Sequence, residues 1–176
     1  TKGTECCAVV EQMYSYEEIF AHTGDNKWAE RLEVLAFNAL PATLSEDMWT
    51  HQYVQQVNQI ACQKTMIMAP WSTNGPYAHT FGLEPNFGCC TANFNQGWPK
   101  FALTPFMHNE NTIINAVMLP SVLKDNGVMI KLETNYPFEN KMHYYIDAEK
   151  DFNFVIRIPS FAKNLKVNGI IKETKD

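Results

Sequence analysis

Clustered positive charge is missing from this chain. Its 14 Lys and Arg residues are scattered among 176, no basic run exceeds two residues, and 19 Asp and Glu leave a net charge of -5. Nucleic-acid binding needs a basic stripe or patch, so nucleic acid is excluded as a partner. Long apolar runs are missing too. None approaches the roughly 20 residues of a membrane span, and no basic leader with an apolar stretch opens the chain, so a membrane-spanning or signal-peptide reading has nothing to rest on. There is no Cys-x-x-Cys pair, and the number of cysteines, five, is odd, which argues against a disulfide scaffold. No internal repeat is evident. The chain starts at Thr1 rather than Met and opens at once on a dense motif, which reads as a piece of a longer protein.

What is present is an ordinary globular composition with an unusual arrangement of thiols. Hydrophobic residues make up 45%, enough for a real core, and four Trp, seven Tyr and eleven Phe will make that core aromatic. Four of the five cysteines stand in two doublets, Cys6-Cys7 and Cys89-Cys90, with the carboxylate Glu5 beside the first. Adjacent cysteines rarely bond to each other, because the short ring strains the disulfide. Thiols grouped this way can instead meet in space and hold a borderline metal. If Glu5, Cys7, Cys89 and Cys90 converge, one carboxylate and three thiolates fill a tetrahedral zinc site. Buried free cysteines explain the same doublets equally well, since cysteine is among the most buried residue types. Cys6 and Cys62 read as structural.

The chain changes character near residue 110. Before it, Val9, Met13, Tyr16 and Phe20 recur at helical spacing, with Gly24 as a stop. Asp25 can cap a second helix, in which Trp28, Leu32, Leu35 and Ala39 share a face before Pro41 closes it. Residues 50–63 are polar and Gln-rich, hence extended or irregular. Residues 71–88 carry Gly75, Pro76, Gly82, Pro85 and Gly88 and read as a long loop. A third helix is expected from Cys90 or Thr91 to about His108, kinked or divided at Pro99. Beyond Asn111 short β-rich segments at 112–119, 128–134, 143–147, 153–158 and 165–167 alternate with turn residues, as in an antiparallel sheet or half a sandwich. The fold class is therefore α+β, helices followed by strands.

Other side chains admit two readings each. His51, Gln52, Tyr53, Gln55 and Gln56 can line a polar pocket or simply form a polar strand face. Trp71, Tyr77 and Trp98 can stack on sugar rings or fill a core. Glu11 and Glu84 are candidate acids or solvated carboxylates. His22 reads as a surface residue.

At this point the motifs carry a resemblance. Gly3-Thr4-Glu5-Cys6-Cys7-Ala8-Val9-Val10-Glu11, Thr23-Gly24-Asp25, Trp28-Ala29-Glu30-Arg31-Leu32-Glu33, Ala36-Phe37-Asn38-Ala39-Leu40-Pro41, His51-Gln52-Tyr53 and Phe87-Gly88-Cys89-Cys90-Thr91-Ala92-Asn93 resemble glycoside hydrolase family 127 and its β-L-arabinofuranosidase-like relatives. The resemblance spans roughly residues 1–107. It implies that residues 1–109 are the C-terminal helices of an (α/α)6-barrel catalytic domain and that residues 110–176 belong to the β-sandwich that follows it.

The resemblance further implies a retaining exo-glycosidase with a zinc-bound cysteine nucleophile. Glu5, Cys7, Cys89 and Cys90 become the zinc ligands, Cys89 the nucleophile, and Tyr53 a residue that contacts the sugar. The substrate class is an oligosaccharide or glycan carrying β-L-arabinofuranosides or a related plant-polysaccharide sugar. The setting is a bacterial cytoplasm or periplasm, without a choice between them.

Two departures stand out. The family's acid/base glutamate lies N-terminal of the Glu-x-Cys motif, before Thr1, so this chain alone should be inactive. Some members carry an extra cysteine where this chain has Phe87, which bears on the sugar accepted. An incomplete helical domain also exposes apolar faces that permit a homo-oligomer. Two other classes stay in view: a non-catalytic carbohydrate-associated protein with a structural zinc–thiolate site, and a redox-active thiol protein that reversibly links Cys7 to Cys89 or Cys90.

Overall fold

The computed structural model describes residues 3–65, 70–82 and 87–173. A two-residue strand β1 (Thr4–Glu5) leads into helix α1 (Cys6–Thr23) and helix α2 (Asn26–Val34). Short strands β2 (His51–Gln52), β3 (Val54–Gln55) and β4 (Phe81–Gly82) follow, then helix α3 (Gly88–Phe101). The strands β5 (Phe106–Asn109), β6 (Thr112–Asn115), β7 (Ser121–Asp125), β8 (Val128–Thr134), β9 (Met142–Ala148), β10 (Asn153–Ile156), β11 (Lys166–Val167) and β12 (Ile170–Ile171) complete the order. The architecture is mixed α+β, as the sequence leads one to expect, with four two-residue strands set among the helices and the longer strands after them.

The helix ends obey local chemistry. Gly24 sits at φ 65°, a left-handed conformation that costs glycine nothing, and its N–H bonds Phe20 O at 2.8 Å. Asp25 caps α2 by accepting from Lys27 N at 3.1 Å. The second helix does not run evenly to Pro41. A π-helical turn spans Leu35–Ala39, in which Leu40 N reaches back to Leu35 O at 2.8 Å. The indole N–H of Trp98 donates to the Ala36 carbonyl in this turn at 3.0 Å. The shift buries Ala36 and Leu40 rather than Leu35 and Ala39.

The three helices share one core. Cys6, Val9, Val10, Met13 and Phe20 of α1 pack with Ala29 and Leu32 of α2, with Leu40, and with Cys90 and Phe101 of α3. Each large side chain buried there contributes roughly 1.5–3 kcal/mol. The approach of α3 to α1 is close at Gly97, where a Cβ would lie 2.9 Å from Leu40 Cδ2 and 3.1 Å from Val10 Cγ2. α3 begins at Gly88, earlier than expected, and continues through Pro99. It also ends earlier: Phe106–Asn109, read as its last turn, is a strand that pairs antiparallel with β6. The buried Thr104-Pro105 break separates the two.

Two three-stranded sheets face each other. One is ordered β10-β6-β5, the other β7-β8-β9. Ile113, Val128 and Ile130 form the buried seam, lined by Phe106, Leu123, Tyr144, Phe152 and Phe154 from both sheets. Val128, Ile130 and Leu132 alternate inward along β8, while Met129, Lys131 and Glu133 face out. The sheets are not antiparallel throughout: β10 runs parallel to β6, with Phe154 opposite Ile113. β7 lies outside the segments expected to be strands, and the strand expected over 112–119 stops at Asn115.

The helices and strands are joined by a buried polar network. Glu33 of α2 pairs with Arg157, which follows β10, and both side chains are nearly inaccessible. Tyr136 Oη donates to the same carboxylate at 3.0 Å, and Arg157 Nη1 donates to Asn26 Oδ1 at 3.2 Å. Among the described residues no helix is long and apolar enough to cross a membrane.

Candidate metal centre and thiol cluster

The N-termini of two helices meet at the candidate site. Glu5 is the residue before α1, and Cys7 lies in that helix's first turn. Cys89 and Cys90 lie in the first turn of α3. Helix N-termini carry partial positive charge from unpaired N–H groups, so both ends favour anionic ligands here. The packing of α1 against α3 brings the two doublets together across 82 positions of chain, with Cys7 Sγ 3.8 Å from Cys89 Sγ. Cys89 Sγ and Cys90 Sγ are 4.0 Å apart. The three sulfurs all lie within 4.8 Å of one another and could hold a metal ion.

Glu5 lies beside this group, against Cys7, and is not among the atoms that all fall within 4.8 Å of one another. Cys7 Sγ donates to Glu5 Oε2 at 3.5 Å. The other oxygen, Oε1, accepts from Tyr53 Oη at 2.7 Å and from Asn74 Nδ2 at 3.4 Å. β1 pairs antiparallel with β3, placing Glu5 opposite Val54 and beside Tyr53. Tyr53 is stacked on Phe87, with ring centres 4.0 Å apart and planes 6° from parallel.

The three sulfurs are spaced so that they could share one metal ion. Bonds of about 2.3 Å to sulfur and about 2.1 Å to oxygen require ligand–ligand edges of about 3.8 Å between sulfurs and about 3.6 Å between sulfur and oxygen. Cys7–Cys89 at 3.8 Å and Cys89–Cys90 at 4.0 Å are close to the sulfur edge, and Cys7–Glu5 at 3.5 Å to the mixed one, whereas Glu5 does not come within 4.8 Å of all three sulfurs. Three soft thiols are the kind of donors a borderline cation takes.

The thiols are protonated in the metal-free state. Burial pushes the Cys7 thiol far up, and the nearby Cys90 adds to the effect. Cys90 is raised first by the hydrogen bond it makes to Cys6 and then by burial. Cys89 is raised by burial, against a hydrogen bond from Cys7. A cation among them would reverse this balance and hold the thiolates. Tyr53 is pushed up to about 12 by donating to Glu5, so it stays a neutral donor at ordinary pH. The sulfurs differ in access: Cys90 is buried, Cys7 half-buried and Cys89 exposed.

The remaining candidates fall outside this group. Gln52 Nε2 donates to His79 O at 2.8 Å, and Gln55 Nε2 to Ala39 O at 2.9 Å, so both tie the fold together. His51 Nε2 is 2.8 Å from Thr91 Oγ1, just beyond the second doublet. Cys6 is fully buried and accepts from Thr43 Oγ1 at 3.6 Å, whereas Cys62 is exposed and accepts from Gln59 Nε2 at 3.0 Å. Trp98 packs into the helical core, and Trp71 lies 6.5 Å from the His79 ring. Glu11 and His22 are exposed, and Glu84 lies outside the described residues. Asn74 and the stacking role of Phe87 have no signature in the sequence. Asn74 stands in a loop without periodicity, and Phe87 only precedes a motif.

Comparison with known proteins gives the family of the chain. Residues 1–103 match the family described as Beta-L-arabinofuranosidase, GH127 catalytic domain. Residues 114–176 match the GH127 middle domain of the same description. No curated protein matches the chain in sequence. Among solved structures, a GH127 β-L-arabinofuranosidase from Geobacillus stearothermophilus T6 superposes with a TM-score of 0.72 at 18% identity. The alignment covers 97% of this chain and 27% of that one, so the chain spans about a quarter of its relative's length.

Proposed function

Because the chain belongs to the GH127 β-L-arabinofuranosidase family of glycoside hydrolases, we propose that it is part of a retaining exo-glycosidase with a zinc-bound cysteine nucleophile. The substrate would be a β-L-arabinofuranoside or a related sugar of plant polysaccharides. Glu5, Cys7, Cys89 and Cys90 would hold the ion. When bound, zinc would keep the thiolates ionised at neutral pH and orient them. Residues 1–109 would be the end of the helical catalytic domain and residues 110–176 the start of the sandwich that follows.

Cys89 is assigned the nucleophile because its sulfur alone combines membership of the cluster with exposure. That observation carries the reading. Its thiolate would attack the anomeric carbon, forming a C–S bond as the glycosidic C–O bond breaks. The leaving oxygen would take a proton from an acid supplied outside this chain. Water, deprotonated by the same group, would then displace the sulfur from the opposite side. Two inversions give net retention. Tyr53, stacked on Phe87 and bonded to Glu5, would present its hydroxyl to the sugar at the same edge.

A structural zinc–thiolate site in a non-catalytic carbohydrate-associated protein is the second reading. Structural zinc sites have four protein ligands, as proposed here, whereas most catalytic sites leave one coordination position open, so ligand count by itself points to the structural reading. The exposure of Cys89 favours the catalytic one. Assay of the full gene product on an aryl β-L-arabinofuranoside decides between them. Release of the aglycone by the wild type, lost in Cys89→Ala, supports the enzyme; zinc without turnover supports the structural site.

A further inference from the structure

The carboxylate of Glu5 is asymmetrically satisfied. Oε1 receives two donors, Tyr53 Oη at 2.7 Å and Asn74 Nδ2 at 3.4 Å, while Oε2 faces Cys7 Sγ at 3.5 Å. Asn74 comes from a turn remote in sequence, 69 positions along the chain from Glu5. Its amide also reaches Tyr53 Oη, at 3.5 Å, so it touches both members of the Glu5–Tyr53 pair.

The turn is built to present that amide. Thr73 Oγ1 donates to Asn74 Oδ1 at 2.6 Å, which directs the amide nitrogen toward Glu5. Thr73 N–H donates to His79 Nε2 at 3.0 Å, closing the turn on a histidine that is 1% exposed. The turn is fastened on both sides of Tyr53: His79 O accepts from Gln52 Nε2 at 2.8 Å, and Ala78 O accepts from Val54 N at 2.9 Å. Asn74 itself sits at φ 63°, a left-handed conformation that asparagine tolerates better than most residues.

We propose that Asn74 is a positioning residue for the metal: it fixes the rotation of the Glu5 carboxylate so that Oε2 is the oxygen offered to the ion. The inference rests on the zinc reading above. Neutral donors behind a ligating carboxylate orient it without competing for the cation, and loss of such a partner usually weakens metal binding by about 10- to 100-fold.

The test is zinc affinity in the full gene product, stripped of metal and titrated with zinc against a chromophoric chelator. Asn74→Gly deletes the amide and keeps the left-handed backbone unstrained. Asn74→Ala deletes the amide and strains the backbone. Both are expected to bind zinc about 10- to 100-fold more weakly than wild type, with matching far-UV circular dichroism in the metal-free state. Wild-type affinity in Asn74→Gly overturns the proposal, since only the backbone conformation would then matter. If Asn74→Gly fails to fold, wild-type affinity in Asn74→Ala overturns it equally. A wild-type protein that binds no zinc overturns the metal reading itself and this proposal with it, whereas a zinc-binding wild type with an unaffected Asn74→Gly overturns only the role of Asn74.

Discussion

Cys7 and Cys89, separated by 82 positions in the chain, hold their sulfurs 3.8 Å apart across the junction of two helix N-termini. That spacing is about the sulfur–sulfur edge that a zinc–thiolate tetrahedron would have, and it is longer than any S–S bond. It follows from the packing of α1 on α3, where Val10, Leu40 and Gly97 set the approach. The site is thus a product of the helical core.

Cys89 should be indispensable for turnover and dispensable for folding. Its side chain is exposed, so Cys89→Ala removes little packing. In the full gene product the variant is expected to lose activity on an aryl β-L-arabinofuranoside by on the order of 10⁴-fold or more. Its melting temperature in the metal-free state should match wild type. Retained activity would reject the nucleophile assignment.

Glu5→Ala should weaken zinc binding by more than about 100-fold, beyond what an outer partner costs. The same change leaves Tyr53 Oη and Asn74 Nδ2 without their shared acceptor. Zinc stoichiometry after dialysis reads the effect. An unchanged stoichiometry would remove Glu5 from the ligand set.

Glu17 gives a pH dependence distinct from the metal. It is 7% exposed, its Oε1 lacks a hydrogen bond among the described residues, and burial pushes its carboxyl up to about 7. The folded protein therefore holds this proton more tightly than the unfolded chain. The contribution of Glu17 to stability is highest below the ordinary carboxylate range, falls as pH rises from about 4.5 to about 7, and levels off above that. Glu17→Gln should remove this slope and stabilise the protein at pH 8 by up to about 3 kcal/mol. Urea denaturation at pH 5 and pH 8 measures it; parallel pH profiles in both proteins would refute it.

The Glu33–Arg157 pair should be costly to halve and cheap to replace. Both side chains are buried, and Arg157→Met leaves the Glu33 charge supported, among the described residues, by Tyr136 and the Met118 N–H. Removal of one partner is expected to cost about 3–5 kcal/mol. The double variant Glu33→Met with Arg157→Leu should recover most of that loss. A double-mutant cycle from denaturant unfolding gives the coupling, and additive losses would show the pair to be energetically independent.

The parts of this fold carried by local patterns were legible in the sequence. Gly24 and Asp25 mark helix ends with short-range chemistry, and residues 128–134 announce a strand by their β-rich composition between turn residues. Phe106–Asn109 was hidden because four residues of mixed character following a helix carry no period of their own; pairing with β6 decides their state. The π-helical turn at Leu35–Ala39 was hidden for a similar reason, being set by burial of Leu40 and by the Trp98 indole. In the site, the doublets and Glu5 could be read because cysteine in pairs is uncommon. Asn74 could not, since one asparagine in a loop of Gly and Pro is unremarkable until the fold brings it to Glu5.

Zinc content of the full purified gene product, by elemental mass spectrometry with free thiols titrated in parallel, tests the central claim most directly. One zinc per chain, with Cys7, Cys89 and Cys90 protected from thiol reagents until a chelator is added, is the predicted result. A folded protein with no metal and freely reactive thiols, or with Cys7 joined to Cys89 in a reversible disulfide, would contradict it.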